Sequence, residues 1–177
     1  MSRRRVFVDE TKAKGYVLVA GALIPADVTG IRRTVRGLIA PGQNRIHMKS
    51  EKKPRQHQIL AALNGLDIRA TVYRADSVRH RTDIDRRHAC LAQLVADVAA
   101  SCSHLVLESD TSQDRRDRRQ LIEVTRATGC HDTLRYEHLT AVVEPLLAIP
   151  DAIAWAWARG GEWRERVAPL VDRVVEV

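Results

Sequence analysis

Between Tyr16 and Ile24 the chain reads YVLVAGALI, an almost wholly apolar run without a charged residue. The run is far too short to span a bilayer. Apolar residues at consecutive rather than alternate positions call for burial on both faces, so this segment is expected to be a central strand of a sheet. A second apolar run, Val6-Phe7-Val8, precedes it, and the polar Thr11 to Gly15 between them is short and ends in glycine. Two strands joined in this way make a hairpin, and a buried hairpin needs helices to cover it.

The remainder of the chain supplies them. Pro25-Ala26-Asp27 opens a helix to about Ile39, with Ile31, Val35 and Leu38 at helical spacing, and Pro41-Gly42 stops it. A polar stretch from Gln43 to Lys53 leads to a helix from Pro54 to Asn64, closed by Asn64-Gly65. Asp67 to Tyr73 alternates as a strand with one wetter face. Asp83 to Ala100 is a long helix on Leu91, Leu94, Val95 and Val98, and His104 to Leu107 a buried strand. Thr111 or Ser112 caps a charged helix ending at Gly129. Leu134 to Leu139 is a fifth strand, Pro145 to Arg159 a helix interrupted or started at Pro150, and Trp163 to Val175 a last helix. A hairpin followed by alternating helices and strands implies an α/β domain, a mixed sheet of about five strands with helices on both faces. Its 177 residues suit one domain, spanning 1–177.

Composition narrows the class. Apolar residues make up 45% and charged residues 29%, the balance of a globular chain rather than a disordered one. The basic start, Ser2-Arg3-Arg4-Arg5, is followed by only three apolar residues before Asp9, which is no signal-peptide pattern, and cytoplasm is the expected location. Cys90, Cys102 and Cys130 are scattered and odd in number, which supports neither a zinc knuckle nor a disulfide framework. The net charge of +7 is carried mostly by arginine, whose planar fork suits phosphate. Nucleic acid is therefore the expected partner. A general arginine bias of the encoding genome explains the excess equally well.

Acids stand at the ends of the predicted buried elements. Asp9 and Glu10 follow the first strand, Glu108 and Asp110 follow the strand 104–107, and Asp151 lies on the late helix. If the first strand is central and parallel to 104–107, their carboxyl ends project to one edge, and a helix across that edge adds Asp151. Converging carboxylates repel one another unless a divalent cation neutralises them. Hard oxygen ligands without soft ones favour Mg²⁺ or Mn²⁺. Each acid also has an ordinary explanation: Asp9 and Glu10 as a polar hairpin paired with Lys12 or Lys14, Glu108 to Asp110 as a helix start, and Asp151 as first-turn capping.

Asp9-Glu10 after an apolar strand, a long second strand through Gly21, a polar His/Lys/Glu segment and the late PLLAIPDAIAWAWARGG together resemble the domain of unknown function 3800 family. The two end motifs match as residues, the middle matches as a pattern, and nearly the whole chain is covered in order. The resemblance implies a ribonuclease H-like fold, with metal ligands falling on Asp9 and Asp151. The family usually continues its Asp-Glu with Ser and Gly, where this chain has Thr11-Lys12. The family's middle acid ends a strand, a role that either Glu108 or Asp110 can fill, with Glu108 nearer the strand end.

These readings define a divalent-metal-dependent nuclease acting on RNA, DNA or a hybrid, with Asp9, Glu108 and Asp151 holding the metals and Glu10, Asp110 or Glu51 auxiliary. In Ile46-His47-Met48-Lys49-Ser50-Glu51, His47 can position the attacking water or leaving group and Lys49 can touch phosphate. A solvated loop explains the same residues. Arg115, Arg116, Arg118 and Arg119 alternate with Asp114 and Asp117, so internal pairing predicts a self-neutralised face. Arg79, Arg81, Arg86 and Arg87 lack such compensation and are the expected phosphate contacts. Trp157 is assigned to the core, and Trp155 is open between core and base stacking. The alternative is a catalytically silent ribonuclease H-like module that binds nucleic acid or a protein partner. A homodimer is left open.

Overall fold

The computed structural model describes residues 3–23 and 26–177. The strands are β1 (Arg4–Thr11), β2 (Tyr16–Leu23), β3 (Arg69–Ala75), β4 (Cys102–Glu108), β5 (Arg135–Leu139) and β6 (Val171–Glu176). The helices are α1 (Val28–Gly37), α2 (Lys53–Asn64), α3 (Asp83–Val98), α4 (Asp114–Ala127), α5 (Ala148–Arg159) and α6 (Gly161–Val167). Short 3₁₀ turns occur at Met48–Ser50, Pro145–Leu147 and Ala168–Leu170. The expected ends of β2 at Ile24 and start of α1 at Pro25 lie outside the described residues, as does Ser2.

All six strands form one mixed sheet in the order β5-β4-β1-β2-β3-β6. β1 and β2 make the expected antiparallel hairpin, whose turn places Lys14 and Gly15 at positive φ. β2 lies between β1 and β3, and β1 between β2 and β4. β1 runs parallel to β4, and β4 parallel to β5. This is an α/β architecture consistent with a ribonuclease H-like fold, with six strands where the sequence reading expects about five.

The sixth strand is a correction. The expected helix from Trp163 to Val175 stops as α6 at Val167, and after the turn containing Pro169 the chain becomes β6, parallel to β3. Proline removes a helical donor, and Val171, Val174 and Val175 are stiff β-branched residues that favour an extended chain. The unpaired edge of β3 supplies the hydrogen bonds that such a short segment needs.

The period of two along each strand divides the interior into two cores. Phe7, Val17, Val19, Val72 and Val106 face a layer that includes Ile59 and Leu60 of α2 and Ile149 and Ile153 of α5. Val6, Val8, Leu18, Leu105 and Leu107 face Leu91 and Leu94 of α3 and Leu121 of α4. α5 is rich in alanine, so it can approach the sheet closely. At Gly21 a Cβ would stand 3.4 Å from Ile149 Cγ2, and a larger side chain there would push α5 away. Pro150 falls in the first turn of α5, where helical N–H groups have no intrahelical partner and proline is tolerated. The same placement puts Asp151 at the positive end of the helix. A fork of hydrogen bonds from Arg32 of α1 to Glu144, at 3.1 and 2.7 Å, holds the segment leading into α5.

Candidate active site

Three of the predicted acids line one cavity. Val8 pairs with Leu107, the last pair between β1 and β4, so Asp9 and Glu108 stand side by side where the two strands separate. Each is still paired to its other neighbour, Asp9 with Val19 and Glu108 with Leu139. Both belong to the face that α5 covers, because they follow the alternation of Phe7 and Val106. Asp151, in the first turn of α5, closes the group from above. Asp9, Glu108 and Asp151 line one cavity of about 160 Å³ with Arg45, His47 and Ala141.

Each acid is anchored differently. Asp9 Oδ1 accepts the Glu10 N–H at 2.7 Å, and no lysine, arginine or histidine among the described residues pairs with the Asp9 carboxylate. Burial pushes the Asp9 carboxyl well above its ordinary value; Asp151 and Glu108 push it further, against the opposing charges of Arg87 and Arg45. Glu108 is also raised, chiefly by burial, although the Ala141 N–H at 3.4 Å and Arg45 Nη1 at 3.5 Å oppose this. Asp151 Oδ2 accepts the Met48 N–H at 2.8 Å, and its Oδ1 lies 3.4 Å from His47 Nδ1. That contact with Asp151 raises the His47 pKa. Crowded carboxylates with only loose cationic neighbours have a strong demand for positive charge.

The donor set is all oxygen and one of its members is uncompensated, which fits a hard divalent cation. The three acids are nevertheless more open than Asp114, Asp117 and His138, the group among the described residues whose ligand atoms all lie within 4.8 Å of one another. That tighter group has a different occupation. Arg87 donates to both oxygens of fully buried Asp117, at 2.9 and 2.7 Å, and His138 Nε2 stands 3.0 Å from Asp117 Oδ2. The guanidinium already occupies the lone pairs that a metal would need.

Glu10, expected as an auxiliary acid, borders the same cavity but its carboxylate is engaged elsewhere. It is next to Asp9, but its side chain turns to the opposite face of the sheet. There it pairs with Arg87, accepts the Tyr16 hydroxyl at 2.6 Å and lies 3.9 Å from Lys12. Asp110 accepts the Ser112 N–H at 2.9 Å and hydroxyl at 2.6 Å, and these bonds hold its carboxyl below the usual range. It lines the wider groove of about 610 Å³ at the sheet edge rather than the small cavity, so Glu108 is the acid that joins Asp9 and Asp151. Glu51 is buried with Arg55 Nε 3.7 Å away, apart from the cavity, and Lys49 is exposed on the turn beside it.

The expected arginine contacts are redistributed. Arg79 lies 3.7 Å from Asp76, Arg86 pairs with Asp83 at 2.7 Å, and Arg87 is locked between Glu10 and Asp117. Only Arg81 of that set is exposed without an ion pair among the described residues. The opposite holds for α4. Asp114 and Asp117 point inward, so Arg115, Arg116, Arg118 and Arg119 are exposed and make no ion pair among the described residues.

Trp155 stacks edge-on against Trp163, ring centroids 4.8 Å apart, with Arg159 over its face at 5.3 Å. It lines a separate hollow with Lys14 and Trp163. Trp157 is half-buried rather than fully in the core, covered by Arg164 at 5.0 Å. All three cysteines are buried and free.

The fold and its site define an α/β protein with an acidic cavity at the carboxyl edge of a mixed sheet. No protein-family model matches the chain, and no curated protein does. No helix among the described residues is long and apolar enough to cross a membrane.

Proposed function

We propose that this chain is a divalent-metal-dependent nuclease of ribonuclease H type, a cytoplasmic relative of the domain of unknown function 3800 family, using Mg²⁺ or Mn²⁺. The observation that carries the reading is the convergence of Asp9, Glu108 and Asp151, far apart in sequence, on one small cavity at a strand edge. Asp9, Glu108 and Asp151 would hold the metal. The chemistry that divalent ions would supply there is activation of a water and stabilisation of the leaving oxygen in phosphodiester hydrolysis.

The protein's own groups have separable tasks. Asp9 supplies a carboxylate with no ion-pair partner among the described residues. The Met48 N–H and Ala141 N–H fix the orientation of Asp151 and Glu108. Arg45 is loosely placed 3.5 Å from Glu108 and can turn to a phosphate oxygen. His47, whose protonated form Asp151 favours, can donate to the leaving oxygen.

One observation favours the second reading, a catalytically silent module that binds nucleic acid or a protein partner. Arg45 and His47 already provide positive charge beside Glu108 and Asp151. Incubation of the purified chain with single-stranded RNA, duplex DNA and RNA–DNA hybrid, with Mg²⁺ or Mn²⁺ and beside Asp9→Asn, separates the two. Cleavage that requires both metal and Asp9 is expected; intact substrates under conditions where a control nuclease cuts leave only the silent module.

A further inference from the structure

We infer that the outer face of α4 is a docking surface for the phosphate backbone of a polynucleotide, so that the substrate of the proposed nuclease is a polymer held away from its cleavage point. The inference rests on the nuclease reading for its substrate, but its physical basis is independent of it. Successive helical residues are about 100° apart, which puts Arg115, Arg116, Arg118 and Arg119 within an arc of about 160° opposite buried Asp117 and Leu121. Arg126 falls at the centre of the same arc and is also exposed. Arg115, Arg119 and Arg126 thus form a stripe about 16 Å long, several phosphate spacings along a strand.

The sequence suggests that this charge is cancelled by Asp114 and Asp117, and the tertiary structure removes that cancellation. Asp117 is consumed by Arg87 and His138, and Asp114 accepts the Ser109 hydroxyl at 2.7 Å and the Asp110 N–H at 2.9 Å. Glu123 is the one acid left on the outer positions of the helix. Five arginines therefore face solvent with almost no counter-charge of their own. Ile122 is the only large apolar residue exposed among them, too little for the desolvated centre of a protein interface. An arginine row interrupted by a single exposed isoleucine is suited to phosphate. The open groove at the sheet edge is lined by Asp9 and Glu108 and by Ser109 to Thr111, the segment just before α4. A strand leaving the acidic cavity can follow that groove onto the arginines.

The test is binding measured by fluorescence anisotropy in EDTA, with a labelled RNA–DNA duplex as the probe over a range of salt. Arg115→Ala/Arg119→Ala is compared with Arg33→Ala/Arg36→Ala, which removes equal charge from exposed positions of α1. The α4 double variant is expected to lose about tenfold or more in affinity at moderate salt and to reduce the log–log salt slope by about two. The α1 variant is expected to bind within about twofold of the parent, and Arg115→Lys/Arg119→Lys to retain most of the binding, which excludes misfolding as the cause. Equal losses from the two helices, an unchanged salt slope, or equally tight binding of poly-glutamate overturns the inference. Because no metal is present, the outcome does not depend on catalysis. A chain that binds through α4 and never cuts refutes the nuclease reading alone, and one that cuts but binds without α4 refutes this inference alone.

Discussion

Asp9 and Glu10 are consecutive residues whose carboxylates serve opposite faces of the same sheet. Asp9 enters the cavity under α5 with Glu108 and Asp151, whereas Glu10 pairs with Arg87 under α3 and α4. One is an unneutralised acid crowded by two others, and the other is part of a saturated ion network. The two positions should therefore respond to substitution in opposite ways.

Replacing Asp9 with Asn removes a buried carboxylate that its surroundings resist ionising. Asp9→Asn is expected to gain about 0.5–2 kcal/mol in stability, as functional sites often do when relieved of strain. It should also lose cleavage activity at least about a hundredfold, more than a change outside the ligand shell costs. Thermal unfolding with and without Mg²⁺ checks the same point. If the proposed site binds metal, saturation at about a hundred times the dissociation constant should stabilise the parent by about 2.7 kcal/mol, and the variant should show little of this shift.

Arg87 is expected to be structural. Arg87→Ala strands Asp117 and Glu10 without their shared cation, and breaking a buried pair in this way costs about 3–5 kcal/mol. Denaturant unfolding measures that loss. Glu10→Gln, a milder change, should leave the metal-dependent thermal shift intact. Loss of that shift in Glu10→Gln would make Glu10 a member of the proposed metal site.

The Asp117 network sets an acid limit on stability. Burial alone would raise this carboxyl, but hydrogen bonds from Arg87 and His138 outweigh it and hold the group below its ordinary value of 3.8. A depressed folded-state pKa contributes stability above the unfolded value and loses it as pH falls through the folded one. Stability should therefore decline below about pH 4 through this group. Asp117→Asn should be less stable at neutral pH and show a flatter curve in that acid window, measured by urea unfolding across pH. An equally steep decline in the variant would show that another group sets the limit.

Arg32 and Glu144 join α1 to the turn from which α5 starts. Their forked pair is partly buried, and Glu144 Oε1 also accepts the Leu146 N–H at 3.1 Å. Arg32→Ala is expected to cost about 1–3 kcal/mol, in the range of hydrogen bonds to charged groups. Glu144→Ala should cost more, because it also leaves a buried N–H without a partner. Chemical denaturation ranks the two, and the reverse order would remove the capping role assigned to Glu144.

Much of this organisation is local and therefore readable along the chain. The hairpin, the central position of β2, the β4 segment and α3 follow from apolar periodicity and turn residues. Asp9, Glu108 and Asp151 are recognisable because they border buried apolar runs, although β1 continues past Asp9 to Thr11. The opposite placement of Asp9 and Glu10 was also within reach, since neighbouring strand residues alternate between faces. Trp163 to Val175 was misread because apolar spacing does not separate a short helix from a short strand. The open edge of β3 decided for the strand.

The amino-acid sequence by itself determined five of the six sheet-forming segments and set Asp9, Glu108 and Asp151 beside apolar runs, because strand period, helix start and turn chemistry depend on a few neighbouring residues. Only the tertiary structure decided which charges remain available. Arg87, apparently free in the sequence, is captured by Glu10 and Asp117 from distant segments, and that capture leaves the arginines of α4 without their neighbouring counter-charges. Pairing between charges is set by distance in space and by burial, and neither can be read from spacing along the chain.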